Sequence, residues 1–94
     1  MATLSPSTNA KLLMRTGPTA DCLVVLALED FSAGDTLDIG PSGADQLQVI
    51  ERCVVITITN TAVQIAASFS GTVVTMPAGC SNDIGYMMAW GAST

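Results

Sequence analysis

The stretch LQVIERCVVITITN, residues 47 to 60, decides the fold class of this chain. β-Branched residues crowd it, and such residues suit a pleated strand but lose side-chain freedom in a helix. Successive side chains of a strand point to opposite faces, so the stretch divides into two sets. The first set is Ile50, Val54, Ile56 and Ile58, with Arg52 as its one charged member. The second set is Val49, Glu51, Cys53, Val55, Thr57 and Thr59. The pattern predicts a long strand with apolar side chains on both faces.

Two further strands are predicted ahead of it. CLVVLAL, residues 22 to 28, is an unbroken apolar run of strand length, which predicts a strand covered on both faces. FSAGDTLDIG, residues 31 to 40, has a turn at Gly34-Asp35. Alternation follows this turn and places Leu37 and Ile39 on one face.

The rest of the chain continues the β pattern. Residues 62 to 69 alternate with period two, and Ser70-Gly71 then separates them from residues 72 to 76 by the loop length of a tight hairpin. The last predicted strand runs from 84 to 90 and sets two groups on opposite faces: Ile84, Tyr86, Met88 and Trp90 on one, Met87 and Ala89 on the other. About six short strands predict an all-β fold, a small antiparallel β-sandwich or barrel with jelly-roll or Greek-key-like connections.

The first 19 residues differ from the remainder. Pro6, Gly17 and Pro18 interrupt them, among scattered Ser and Thr. We expect an irregular N-terminal arm over residues 1–19 and a β-domain over 20–94. The short island KLLM, residues 11 to 14, fits one helical turn or a short strand equally well. Such an arm either moves freely or lies across a neighbouring subunit.

Charge is scarce. Charged residues make up 12% of the chain, against about 25% in an average soluble domain. Either the surface is neutral and polar, or other copies or another protein cover much of it, and we favour the second interpretation. The net charge is −5, and Lys11, Arg15 and Arg52 are the only cations. Nucleic acid is therefore excluded as a direct partner, and anionic membranes are disfavoured.

No segment predicts insertion in a membrane or export. The longest wholly apolar run has seven residues, whereas a spanning helix needs about 20. The N-terminal residues lack the basic stretch that opens a signal peptide. We expect a protein made and folded in a cytoplasm.

The usual inventory of an active site is missing from the sequence. The chain has no His and no G-x-S-x-G motif, and Lys11 falls in the predicted arm. Cys22, Cys53 and Cys80 are widely spaced and predict three reduced thiols. We predict no enzymatic activity, no cofactor and no metal ligands, and leave open whether a Ca²⁺ binds near Asp35 and Asp38, whose spacing does not follow the EF-hand pattern.

The last predicted strand is the strongest candidate for a contact. For Tyr86 and Trp90 we predict a position in the core of the domain, with a role as interface anchors as the alternative. Because Met87 on the other face is apolar too, a C-terminal strand at a subunit contact fits both faces. The predicted partner or oligomer contacts are Leu4, Leu12, Leu13, Met14, Tyr86, Met87 and Trp90.

Four segments carry a resemblance to a known group. They are AGDTLDI (33 to 39), CVVITITN (53 to 60), FSGTVVTM (69 to 76) and the aromatic strand ending in Trp90-Gly91. Across residues 31 to 91 the chain resembles the small β-rich virion proteins of tailed bacteriophages, in particular capsid decoration or cement proteins. The resemblance implies a homo-oligomer, favouring a homotrimer, that assembles in the host cytoplasm, binds the major capsid protein on the capsid surface and clamps capsomers. It implies no catalytic residues.

Two other virion roles remain open at this stage. A receptor- or carbohydrate-binding module of a phage fibre or tail would need exposed aromatic side chains. A tail-tube or head-completion component would form rings of six or twelve copies.

Overall fold

The computed structural model describes residues 2–5, 7–17, 21–41, 43, 46–58 and 64–92. These residues form strands and no helix. The strands are β1 (Ala10–Thr16), β2 (Cys22–Phe31), β3 (Thr36–Asp38), β4 (Val49–Thr57), β5 (Gln64–Ala66), β6 (Ser68–Ser70), β7 (Val73–Thr75) and β8 (Asp83–Ala92). The predicted all-β class is confirmed, and two packed antiparallel sheets make it a small β-sandwich, not a closed barrel.

The larger sheet has five strands in the order β1-β2-β8-β4-β5, and the smaller has three in the order β3-β7-β6. All strand pairings are antiparallel. β8, last in the chain order, lies in the middle of the larger sheet between β2 and β4. Its long pairings with both neighbours make these three strands the frame of the molecule.

The core lies between the two sheets. The larger sheet contributes cross-strand rows of buried side chains, such as Leu26, Met87 and Val55 on β2, β8 and β4. The smaller sheet contributes Leu37 and Val74, which are paired across β3 and β7 and fully buried. Each such side chain stabilises the fold by roughly 1.5–3 kcal/mol through removal of apolar surface from water. The predicted shared face of Leu37 and Ile39 is confirmed, because both are buried.

The N-terminal segment is more ordered than the predicted irregular arm. Residues 10–16 form β1, which pairs with β2 at one edge of the larger sheet, so the island KLLM is a strand. Further upstream, Thr3 makes a parallel bridge to Thr36, and Leu4 is buried in the core. The edge of β2 explains the position of β1, because the backbone groups along that edge of β2 would otherwise lack partners in the sheet.

The single strand predicted over residues 62 to 69 is divided between the two sheets. β5 belongs to the larger sheet and β6 to the smaller, and Ala67 lies between them. Ala67 is buried, and its N–H donates to the carbonyl oxygen of Cys53 at 3.0 Å. Alternation alone did not reveal the crossing, because the alternating sequence pattern continues without interruption from residue 62 to residue 69. Residues 59–63, where a turn and the start of this strand were predicted, lie outside the described residues.

The predicted tight hairpin joins β6 and β7. Ser70 pairs with Val73, so the loop is Gly71-Thr72, one residue later than predicted. Gly71 has a φ of 63°, a left-handed conformation that glycine adopts at little cost. The carbonyl oxygen of Thr72 accepts a hydrogen bond from the N–H of Ile39, which fixes the loop beside β3.

Candidate interaction surface

The larger sheet has one face turned away from the smaller sheet, and we call it the outer face. Because side chains alternate along each strand, the residues between the buried ones point to this side. The register aligns Val25, Met88 and Val54 in one row across β2, β8 and β4, and Ala27, Tyr86 and Ile56 in the next. The apolar members on these strands and just after β4 are Leu23, Val25, Ala27, Val49, Val54, Ile56, Ile58, Ile84, Tyr86, Met88, Trp90 and Ala92.

Several of these side chains are largely exposed to solvent. Val49 is 53% exposed, Ile58 52%, Ile84 49% and Tyr86 38%, while the remaining apolar members are half-buried by their neighbours in the sheet. The solvent side of an antiparallel sheet in a sandwich ordinarily carries polar side chains. Here the middle rows of β2, β8 and β4 carry apolar ones, so the outer face is an apolar surface of unusual extent.

β1 extends the outer face at one edge. A bulge between Leu12 and Met14 shifts the register, so that Met14 pairs with Val25 and joins the outer face. Leu12 pairs with Leu26 and therefore points to the opposite side, at the rim of the core. Leu12, Leu13 and Met14 are each 43–51% exposed, which continues the apolar surface around the edge strand.

Charged residues lie at the two ends of the outer face. At one end, Lys11 and Glu29 line a hollow of about 400 Å³ together with Tyr86 and Ile84. At the other, Asp21, Glu51, Arg52 and Trp90 line a hollow of about 330 Å³. The outer face is thus apolar in the middle, with both signs of charge at each end.

The structure brings three of the predicted contact residues together. Met14, Tyr86 and Trp90 lie on the outer face, and Leu12 and Leu13 lie beside them on the edge strand. The other two predicted contacts, Leu4 and Met87, are buried in the core.

Leu4 and Met87 belong to the core of the chain itself. Leu4 is 5% exposed, next to the backbone hydrogen bond that its N–H donates to the carbonyl oxygen of Thr36. Met87 is fully buried, opposite Leu26 on β2 and Val55 on β4. Neither side chain is available to a partner in this fold.

The first interpretation of Tyr86 and Trp90 as core residues also needs correction. The inner side of β8 carries Asp83, Met87 and small residues instead. A Cβ atom at Gly91 would overlap the carbonyl oxygen of Val49 on β4. Sequence reasoning missed Met88, Ile84 and their neighbours as surface residues, although apolar residues on both faces of the predicted strand were the signal that could have shown an apolar surface.

Asp35 and Asp38 hold loops of the fold. The carboxylate of Asp35 accepts hydrogen bonds from the N–H groups of Ala2 and Ser32, both at 2.9 Å. The carboxylate of Asp38 accepts from the N–H of Gly40 and the hydroxyl of Thr72, both at 2.8 Å. Within the described ranges, no group of three or more potential metal ligands comes together.

The three thiols are free and buried. Burial raises the pKa of Cys53 to about 12, which keeps this thiol protonated at neutral pH. The pKa of Cys80 is raised by burial and then by the negative charge of Asp83. Since the thiolate is the nucleophilic form, these environments disfavour thiol chemistry at Cys53 and Cys80.

Comparison with known proteins adds no relative. No protein-family model, curated protein or solved structure matches the chain. Among the residues that the structure describes, no helix is long and apolar enough to cross a membrane. A proposal about function therefore rests on the outer face.

Proposed function

We propose that the chain is a structural subunit of a virus particle, a decoration or cement protein that binds the outside of a capsid and stabilises contacts between capsomers. The observation that carries the proposal is the apolar outer face of the larger sheet. The resemblance to phage decoration proteins supplies the capsid as the partner. Self-association is part of the same proposal.

The energetics favour a covered outer face. Complete burial of a large apolar side chain is worth about 1.5–3 kcal/mol, so covering one that is half exposed is worth about 1 kcal/mol. Ile58, Ile84 and Tyr86, together with Met14 at the edge, are of this kind. Their combined burial offsets part of the entropy that association costs.

The charge distribution supports the same role. Asp35, Asp38 and Asp83 lie away from the apolar rows: Asp38 is in β3 of the smaller sheet, and Asp35 and Asp83 are buried. Two of the three cations, Lys11 and Arg52, lie at the ends of the outer face, beside Asp21, Glu29 and Glu51. A partner that covers the outer face therefore meets an apolar centre with charges of both signs at its ends.

One observation favours a second candidate, a carbohydrate- or receptor-binding module of a fibre or tail. The ring of Tyr86 borders the hollow at the Lys11 end, which Ser7, Thr8 and Asn9 also line. An aromatic surface beside hydroxyl and amide groups suits a ligand with both apolar and polar faces. The hollow occupies one end of the outer face, and the apolar rows beyond it remain unexplained by a small ligand.

Electron microscopy tests the proposal directly. Virus particles are purified from a culture in which the chain is naturally produced. They are labelled with a gold-conjugated antibody raised against the purified chain. We expect label over the capsid surface. Label confined to tails or fibres would favour the second candidate, and particles without label would contradict both.

Cosedimentation tests the surface involved. Purified chain is added to the same particles, and the Met88→Lys variant is compared with Phe69→Lys, which alters an exposed residue of the smaller sheet. We expect Met88→Lys to lower the bound fraction strongly and Phe69→Lys to leave it near that of the unaltered chain. Equal binding by both variants would remove the outer face from the proposal.

A further inference from the structure

We infer that the open edge of β1 binds an extended segment of another protein, in which two acidic residues enclose two apolar ones. The segment adds a strand to the larger sheet beside β1. This inference goes beyond the proposed function, because it concerns the backbone edge of the sheet and not the outer face. It rests on the open edge, on the cations that flank its apolar centre, and on the register between β1 and β2.

The edge of β1 is long and open. β1 is the first strand in the order of the larger sheet, so within the described residues it pairs on one side, with β2. The strand has seven residues, of which six are exposed. An open edge carries backbone N–H and C=O groups that can pair with a further strand. An extended peptide that pairs in this way gains affinity from main-chain hydrogen bonds and specificity from its side chains.

Cations flank the apolar centre of this edge. The strand reads AKLLMRT, and Leu12, Leu13 and Met14 are each 43–51% exposed. Lys11 and Arg15 stand on either side of them, and both are exposed. They are two of the three cations of a chain whose net charge is −5, and β1 itself contains no acidic residue. The edge therefore offers an acidic partner two positive charges around an apolar contact.

The register gives the spacing of the two acidic residues. Lys11 pairs with Ala27 and Arg15 with Val24, which are three residues apart on β2 because β1 has a bulge between the two cations. Residues three apart on a strand point to opposite faces. Lys11 accordingly lies on the outer face, whereas Arg15 lies on the inner side, paired with the buried Val24. A strand added at the open edge meets the same alternation, so acidic residues three apart reach both cations.

A second copy of β1 is a poor occupant of this edge. Antiparallel pairing of β1 with its own copy along the full strand sets Lys11 of each copy opposite Arg15 of the other. Like charges directly opposite each other destabilise a pair of strands. Charged residues on an edge strand ordinarily oppose pairing of this kind. The same two charges favour a segment that carries carboxylates at these positions.

Peptide titration tests the predicted pattern. The acetylated and amidated peptide TEVVET carries it, and TEVEVT has the same composition with its two Glu residues two apart, so that both point to one face. Nitrogen–proton NMR spectra of the full chain record the binding of each peptide. We expect TEVVET to shift the amide signals of residues 10–16 and to bind about threefold more tightly than TEVEVT. Equal affinities, shifts on β4 and β8 in place of β1, or no shifts at millimolar peptide would overturn the inference.

Substitution tests the two cations. Lys11→Gln/Arg15→Gln is expected to bind TEVVET about fivefold more weakly than the unaltered chain. The control is Ser68→Glu/Ser70→Glu, which lowers the net charge by the same two units at exposed positions of β6 and should leave the affinity unchanged. Circular dichroism establishes that both variants are folded. Equal affinities of the two variants would assign the attraction to net charge and overturn the inference.

A reversed peptide gives the same test without any substitution in the chain. TKVVKT carries Lys in place of Glu and sets like charges opposite β1. We expect the unaltered chain to bind it at least about tenfold more weakly than TEVVET. Binding as tight as that of TEVVET would show that the cations do not select the segment, and would overturn the inference.

The outcomes separate this inference from the proposed function. A chain that labels capsids but binds no peptide overturns the edge site and leaves the function standing. A chain that binds TEVVET at β1 but labels no particle supports the edge site and contradicts the function.

Discussion

Ile56 and Tyr86 lie directly opposite each other on β4 and β8, on the outer face of the larger sheet. Their chain neighbours Val55 and Met87 also lie opposite each other, but on the inner side, where both are fully buried. One step along the chain therefore changes the environment from core to surface. Substitutions at adjacent positions can separate the stability of the fold from association.

The first prediction uses this pair of adjacent positions. Val55→Asp should abolish folding, since an unpaired buried carboxylate costs several kcal/mol, comparable to the stability of so small a domain. Ile56→Asp should stay folded, with a loss of about 1 kcal/mol, because its side chain points to the outer face. Urea unfolding followed by circular dichroism checks both. If Ile56→Asp also fails to fold, the assignment of the two faces of β4 is wrong.

A second prediction concerns the N-terminal segment. Leu4 is 5% exposed, so Leu4→Ala should lower the free energy of unfolding by roughly 2–4 kcal/mol through lost burial and a cavity. Leu13 is 51% exposed, and Leu13→Ala should change it by less than about 0.5 kcal/mol. Thermal unfolding of the two variants is the measurement. Similar melting temperatures would show that residues 2–5 do not pack against the core in solution.

A third prediction concerns alkaline pH. The Cys53 thiol has a folded-state pKa of about 12, above the ordinary value of 9.0 that it regains on unfolding. Between these two values the unfolded chain loses a proton that the folded chain keeps. The Cys53 contribution is therefore fully present below pH 9.0 and is lost as pH rises toward 12, at up to about 1.4 kcal/mol per pH unit.

Urea unfolding at increasing pH checks this contribution. Other groups titrate in the same range, so the informative quantity is the difference between the unaltered chain and Cys53→Ala. We expect a shallower decline for the variant. Parallel declines would show that water reaches the thiol in the folded state.

A fourth prediction tests the β6–β7 hairpin. Gly71 has a φ of 63°, and a Cβ atom there would meet nothing within 4 Å, so a substitution costs conformational energy alone. Gly71→Ala should destabilise the fold by about 1 kcal/mol. Gly71→Asn should recover part of this loss, because Asn tolerates the left-handed region better. Chemical unfolding of the two variants decides, and equal stability of Ala and Asn would contradict the turn geometry.

The long strands could be predicted because the apolar character, the β-branched content and the length of their segments all favour a strand. The apolar run from Cys22 to Leu28 and the β-branched stretch around Val55 occur as β2 and β4. What sequence could not supply was the choice of inner side for a strand apolar on both faces. In β8, Tyr86 and Trp90 occupy the outer face, while Met87 and the small residues Gly85, Ala89 and Gly91 occupy the inner side.

The island of β1 was left open between a helical turn and a short strand, and the crossing at Ala67 was missed, for related reasons. Nearly all of β1 is exposed, so its sequence has no alternation of buried and exposed residues that would mark a strand. Its place at the edge of the sheet depends on its pairing with β2. At Ala67 the chain passes from one sheet to the other without a turn residue to mark the change. Both features arise from tertiary pairing that a local pattern does not contain.

The central place of β8 has a consequence for biosynthesis. β2 and β4 are synthesised before residues 83–92, yet each borders β8 and neither pairs with the other. The larger sheet therefore cannot form until β8 has been synthesised, and until then the apolar strands β2 and β4 lack the strand that joins them. Closure over such long sequence separations is slow, which leaves a nascent chain open to capture by chaperones or to aggregation at high expression.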